Sequence, residues 1–166
     1  MNTYHLNELS SINTPLLLPL YEGASIPGAL AGYTGYEKGL DLEAGKLYHI
    51  LTPQDSSIKS LILLGLGKPE EITPKKLREL IGGAVRSLKM DICIFADTAA
   101  IPGFSPEEAA KETAFGTGYS QYDFVKIGKV PEKLPEISFL SEKEIHDICQ
   151  DALMEAACVN HARDLG

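Results

Sequence analysis

His146, Cys149, Cys158 and His161 lie near the end of the 166-residue chain, spaced H-x2-C-x8-C-x2-H. Imidazole nitrogens and thiolate sulfurs in two close pairs are the donor set of a structural zinc site. Helix geometry opposes one here. Nothing in the intervening QDALMEAA breaks a helix. Nine helical residues place Cys149 and Cys158 about 13.5 Å apart along the axis and, at about 100° per residue, on opposite faces. Zinc needs its donor atoms within about 2.3 Å of one point, so no metal ligand is expected.

The second candidate is GLGK, Gly65 to Lys68, after an apolar run. A phosphate-cradling loop needs G-x-x-x-x-G-K-[ST], or G-x-G-x-x-G, opening directly into a helix. Here Pro69, Glu70 and Glu71 follow and the next helix starts only near Thr73, so a plain strand-exit turn is expected. There is no G-x-S-x-G nucleophile elbow, and Cys93 inside DICIFAD reads as core. Glu70 with Glu71 and Glu107 with Glu108 sit at helix starts, where carboxylates complement the macrodipole. His49 and His161 are single histidines without a visible partner, and Lys75, Lys76 and Arg78 read as a solvated face. No catalytic, cofactor-binding or metal-binding residue is assigned.

The elements that would have to position such groups are well marked. PLLLPLYEG and DICIFAD read as short buried strands, and Leu61 to Leu64 as a central strand covered on both faces. KLYHILT and SIKSLILLGLG are joined by PQDSS, which suits a hairpin. A short helix near Ala29 is expected in the small-residue stretch between them and the first strand. In ITPKKLRELIGGAVRSLK, Thr73 caps and Pro74 takes the first helical position. Leu77, Leu80, Ile81, Ala84, Val85 and Leu88 form its inner stripe, with Gly82 and Gly83 expected to permit a close approach. Ser105, Pro106 and Glu108 form a capping box for a helix to about Gly118. EISFLS reads as a strand, and Ser141 with Glu144 as a second capping box opening a long helix with Ile145, Ile148, Cys149, Ala152, Ala156 and Val159 inward.

Alternating strands and helices predict one α/β domain over residues 1–166, with a mixed, mostly parallel sheet between helices. The length suits a single core. Net charge is −8, and the basic residues form no stripe, which argues against nucleic acid. The N-terminal stretch has no basic segment and no apolar run longer than Leu16 to Leu20, so no signal peptide or membrane span is expected and the reading is cytoplasmic. Three cysteines at wide spacing fit a reducing compartment.

Three stretches, in order, resemble the N-terminal domain of leucyl aminopeptidases, the cytosol aminopeptidase family. LILLGLGKPEEITPKKLRELIGGAVRSLK resembles its strand, GLGK turn and helix. ETAFGTGYSQYDFVKIGK resembles its helix and following Y-x-F-D-x-Y-K segment, varied here to Tyr119, Tyr122, Asp123, Phe124 and Lys126. AACVNHARDLG resembles the helix that ends A-R-D-L before the interdomain linker. The resemblance implies a macrodomain-like three-layer sandwich that assembles a homohexamer and shapes access to the active sites. It also implies a C-terminal catalytic domain as partner, holding two divalent cations, zinc or manganese. That domain's D-S-G-G and N-T-D-A-E-G-R signatures do not occur here, so no catalytic residue or metal ligand carries over. The alternative is a macrodomain-like module binding ADP-ribose or a nucleotide, with Gly65 to Gly67 contacting phosphate.

Overall fold

Runs in which every position is apolar can satisfy their backbone groups only inside a sheet covered on both faces. Strands β2 (Leu16–Leu20), β4 (Leu61–Gly65) and β5 (Ile92–Phe95) are such runs and are buried at every residue. With β1 (Asn2–His5), β3 (Leu47–Ile50) and β6 (Ile137–Ser141) they form one six-stranded sheet of order β1-β6-β5-β2-β4-β3. This is a computed structural model, which describes residues 1–30, 41–50, 52, 58, 60–97, 101–122 and 133–165.

All neighbouring strands run parallel except β3, which pairs antiparallel with β4 from Leu47↔Leu64 to Ile50↔Leu61. The expected hairpin pairing is therefore present, while its PQDSS turn lies outside the described residues. Strand β2 pairs with β4 along its whole length but with β5 only at Leu16↔Cys93 and Leu17↔Ile94. Pro19 accounts for part of this. The Leu16 amide and the Leu20 carbonyl point toward β4, to Ser60 and Leu66, so by alternation Pro19 faces β5, where it has no N–H to donate.

Three helices lie on one face: α1 (Pro74–Leu88), α2 (Pro106–Ser120) and α3 (His146–Leu165). Leu77, Ile81, Ala110, Ala114, Cys149 and Ala152 pack there on Leu17, Ile62, Ile94 and Phe139. On the other face, among the described residues, Leu9, Ile12 and Leu30 of short 3-10 turns and their flanks cover Leu18, Leu63, Cys93 and Phe95. The turn at Gly28–Leu30 falls where a short helix was expected near Ala29.

Helix α1 starts as its sequence dictates, with Thr73 Oγ1 accepting from the Lys76 amide at 3.2 Å. The Ser105–Glu108 box also forms, at 2.8 and 3.1 Å. Glycine explains how α1 and α2 approach. A Cβ on Gly82 would lie 3.0 Å from the Gly116 carbonyl oxygen, and one on Gly116 only 2.6 Å from that of Arg78. Gly83, expected to share this role, faces open space.

Two further expectations are corrected, and one strand was missed. Ser141 and Glu144 form no capping box: Ser141 is the last residue of β6, and α3 begins at His146. The Ser141 hydroxyl is taken by Asp97 and by the Lys143 amide. Val159 is not part of the inner stripe but 41% exposed, because the helix outruns the core beyond Ala156. Strand β1 was not read as a strand at all, since NTYH shows no apolar alternation. No helix among the described residues is long and apolar enough to cross a membrane.

Candidate functional site

In α/β proteins ligands bind beyond the carboxyl ends of the parallel strands, and the GLGK turn leaves β4 at that end. Three of its four amides are occupied. Gly65 N–H donates to the Lys46 carbonyl at 2.9 Å, Leu66 N–H to that of Leu20 at 2.8 Å, and Gly67 N–H to that of Leu42 at 2.9 Å. Both glycines have steric reasons to be there. A Cβ on Gly65 would fall 2.3 Å from the Glu43 carbonyl oxygen, and Gly67 has φ +78°. The turn is a seat for residues 42–46, and the amides of Gly65, Leu66 and Gly67 are turned to the fold.

The same edge holds a polar cluster that the sequence did not flag. Asp97 directly follows the buried end of β5 and is 4% exposed. Its Oδ2 accepts from Ser141 Oγ at 2.7 Å and from the Glu142 amide at 3.0 Å. Asp97 thereby ties the exits of β5 and β6 together. Its Oδ1 is buried without a hydrogen-bond partner, the one such side-chain atom among the described residues. Ser141 Oγ both donates to Asp97 and accepts from Lys143, while His146 bonds to Thr3 Oγ1 at 3.0 Å. A serine without an adjacent imidazole base is not an activated nucleophile. An aspartate immediately after an apolar strand run was the available signal.

The four residues of the zinc-like pattern are not brought together. Helix α3 runs unbroken through all of them, with Cys149 buried and Cys158 exposed. Burial pushes the Cys149 thiol up to about 12, with the Asp97 charge adding to the shift, and burial pushes Cys93 up to about 11. Neither is a thiolate at neutral pH. Among the described residues no three His, Cys, Asp or Glu side chains come together to hold a metal ion.

Most of the charged candidates have structural partners, while Glu70 lies in the 3-10 turn Pro69–Glu71. Lys75 meets Glu79 at 3.8 Å, Lys76 meets Glu71 at 3.1 Å, and Arg78 grips Glu112 through Nε–Oε2 and a 3.0 Å Nη2–Oε1 bond. Glu108 serves the capping box. Glu107 lies below its ordinary carboxyl value through a backbone hydrogen bond and Lys143 at 3.2 Å. His49 and His161 are exposed.

Two stretches singled out by resemblance do meet in space. Arg163 lies over the rings of Tyr119 and Tyr122, 4.9 and 4.2 Å from their centroids. Tyr122 donates to Asp164 Oδ1 at 2.7 Å, which raises the phenol above its ordinary value. Asn160 Nδ2 donates to the Gly118 carbonyl at 3.0 Å. Phe115 stacks with Tyr119 at 6.1 Å, and Arg78 lies 4.4 Å over Phe115. This clamp fastens the end of α3 to the end of α2. Asp123, Phe124 and Lys126 lie outside the described residues.

The model for the N-terminal domain of the cytosol aminopeptidase family matches residues 37–127. A probable cytosol aminopeptidase of Clostridium perfringens is 29% identical, covering 73% of this chain and 27% of its own. Among solved structures, a bottromycin maturation enzyme superposes with TM-score 0.67 at 17% identity, over 92% of this chain and 32% of that one. A tomato leucine aminopeptidase variant gives 0.59 at 14% identity, over 97% and 36%. The cytosol aminopeptidase of Coxiella burnetii gives 0.58 at 17%, over 92% and 31%. The chain thus spans about a third or less of the length of these relatives.

Proposed function

The chain belongs to the cytosol aminopeptidase family, matching its N-terminal domain, and from that premise we propose that it is the non-catalytic assembly and access domain of a metal-dependent aminopeptidase. The parent enzyme releases N-terminal amino acids from peptides, and its two divalent cations, zinc or manganese, sit in a separate catalytic domain. Residues 1–166 act as one macrodomain-like unit, in the cytoplasm, within a homohexamer.

One observation carries the non-catalytic part of this reading. The amides of Gly65, Leu66 and Gly67, Asp97 Oδ2, Ser141, Glu108, Glu112, Lys75, Lys76 and Arg78 have main-chain or side-chain partners inside the domain. Their chemistry is spent on holding β4, β5, β6 and the helices in register. The purified chain is expected to show no turnover of leucine p-nitroanilide with manganese or zinc added; hydrolysis that co-purifies with the chain overturns the reading. Calorimetry with ADP-ribose is expected to give no binding heat, since the amides of Gly65, Leu66 and Gly67 already donate to Lys46, Leu20 and Leu42.

A further inference from the structure

An open cleft of about 330 Å³ lies at the amino ends of β5 and β6, at the other end of the sheet from the GLGK turn. Its walls come from the end of α1 with its cap Lys89, from the end of α2 with Gln121 and Tyr122, and from residues 133–135 before β6. Charge sets it apart. The chain has a net charge of −8, and most described lysines and arginines meet a carboxylate or lie over a ring. Among the described residues Lys68, Arg86, Lys89 and Lys133 do neither, and three of these four line the cleft, while no carboxylate does. The acids next to them in sequence are sorted elsewhere. Asp91 and Glu136 line a separate cleft of about 140 Å³, where Asp91 Oδ1 accepts from the Glu136 amide at 2.7 Å. The uncharged polar side chains of the wall are engaged: Gln121 Nε2 donates to the Pro135 carbonyl, Ser120 Oγ to that of Thr117, and Tyr122 to Asp164. A helix macrodipole draws cations to its end, which would account for Arg86 and Lys89, but Lys133 belongs to no helix. Lys89 also has φ +49°, a left-handed cap that glycine adopts at less cost, and among the described residues no other non-glycine has a positive φ.

We propose that this cleft binds a phosphate monoester carried on a small apolar or aromatic body. The ends of α1 and α2 each present about half a negative charge, so the three cations leave a balance of about two positive charges. A phosphate monoester matches it, with a charge of about −1.5 to −2 at neutral pH and three acceptor oxygens for three cationic donors. Arg86 adds the planar fork suited to phosphate. Val85, the Tyr122 ring and Leu134, which is 50% exposed, supply an apolar wall for the body of the ligand. The volume falls at the lower end of small-molecule sites. A phosphodiester such as ADP-ribose spreads one charge over each phosphorus and offers no terminal group, in keeping with the absence of binding heat expected above.

Two-dimensional amide NMR of the purified chain, titrated with phenyl phosphate, tests the site. Saturable shifts are expected at Arg86, Lys89, Gln121, Tyr122, Lys133 and Leu134, with a Kd of about 1 mM or tighter. Inorganic phosphate is expected to shift the same residues with at least about tenfold weaker affinity, since it lacks the apolar body. Lys89→Gly is the informative variant. Glycine suits the left-handed cap, so the melting temperature is expected to hold or rise, while the affinity for phenyl phosphate falls by about tenfold. Lys68→Ala removes the unpaired cation outside the cleft and is expected to leave that affinity unchanged. The absence of saturable shifts overturns the site, as do shifts equally strong at Lys68, Lys75 and Lys76. A folded Lys89→Gly chain that binds as tightly as the parent also overturns it. Equal affinity for phenyl phosphate and inorganic phosphate overturns the ligand class.

Discussion

Alanine substitution at three glycines of one helix crossing should give opposite signs. In a helix interior, Gly→Ala gains about 1 kcal/mol from backbone entropy. At Gly83 a new methyl meets nothing within 4 Å, so that gain is realised, and with about 2–4 °C per kcal/mol for a domain of this size the melting temperature rises by about 2–4 °C. At Gly116 the methyl would sit 2.6 Å from the Arg78 carbonyl oxygen and 2.9 Å from its Cα, where ordinary contact begins at 3.4 Å. The obstacle is helix backbone, which cannot rotate aside as a side chain can. Helices α1 and α2 must separate, and the Arg78–Glu112 pair in the same turn is stretched with them. Overpacking costs about 1–3 kcal/mol and the loosened pair adds to it, so after the propensity gain the net loss is about 2 kcal/mol, or about 4–8 °C. Gly82→Ala, with contacts of 3.0 and 3.2 Å, falls between. Urea titrations followed by circular dichroism, with a common m-value, give the order Gly83→Ala, parent, Gly82→Ala, Gly116→Ala from most to least stable. A Gly116→Ala variant as stable as the parent, or a destabilised Gly83→Ala, refutes the reasoning.

Asp97→Ala orphans the Ser141 hydroxyl and the Glu142 amide and should cost about 2–4 kcal/mol in urea unfolding; a loss below about 0.5 kcal/mol would show that the β5–β6 exit does not depend on it. Cys93 and Cys149 are raised from an ordinary 9.0 to about 11 and about 12. Above pH 9 the unfolded chain therefore loses these protons first, and stability falls by up to about 1.4 kcal/mol per pH unit per thiol between roughly pH 9 and 11. Cys149→Ala should flatten that fall in pH-dependent denaturation, and an unchanged slope would exclude the thiol as its source. Arg163→Ala should speed amide exchange of residues 157–164 by at least about tenfold while shifting the melting temperature by less than about 2 °C. Uniform exchange rates in both proteins would mean that the aromatic clamp does not hold the helix end.

Local features were legible in the sequence, and features made by distant pairs were not. Thr73, Pro74 and the Leu77–Leu88 stripe define α1 within a few residues, and Ser105 with Glu108 define the start of α2, since caps act across three residues. The α3 start was misread for the same reason in reverse. Ser141 and Glu144 have capping-box spacing, but the hydroxyl is claimed by Asp97, 44 residues earlier in the chain. Strand β1 exists because β6 offers it an edge, from Asn2↔Ser138 to His5↔Ser141, and nothing within NTYH announces that partner. The clamp has the same character, Tyr122 and Asp164 being 42 residues apart. At GLGK the strand-exit turn was legible, because the departure from phosphate-loop spacing is itself local, and the chain does pass there from β4 to a 3-10 turn at Pro69–Glu71.

Pro19 has a mechanical consequence. The sheet is two panels, β3–β4–β2 and β5–β6–β1, stitched together at Leu16↔Cys93 and Leu17↔Ile94. Beyond those stitches Pro19 leaves the join without a thread. Helix α1 leaves β4 in the first panel and is buttoned across the join onto α2, which leads into β6 of the second, through Gly82 and Gly116. A parting of the two panels would begin at this hem, and the α1–α2 contact spans it. Two glycines on the helical layer thus restrain a parting that the strands alone resist weakly.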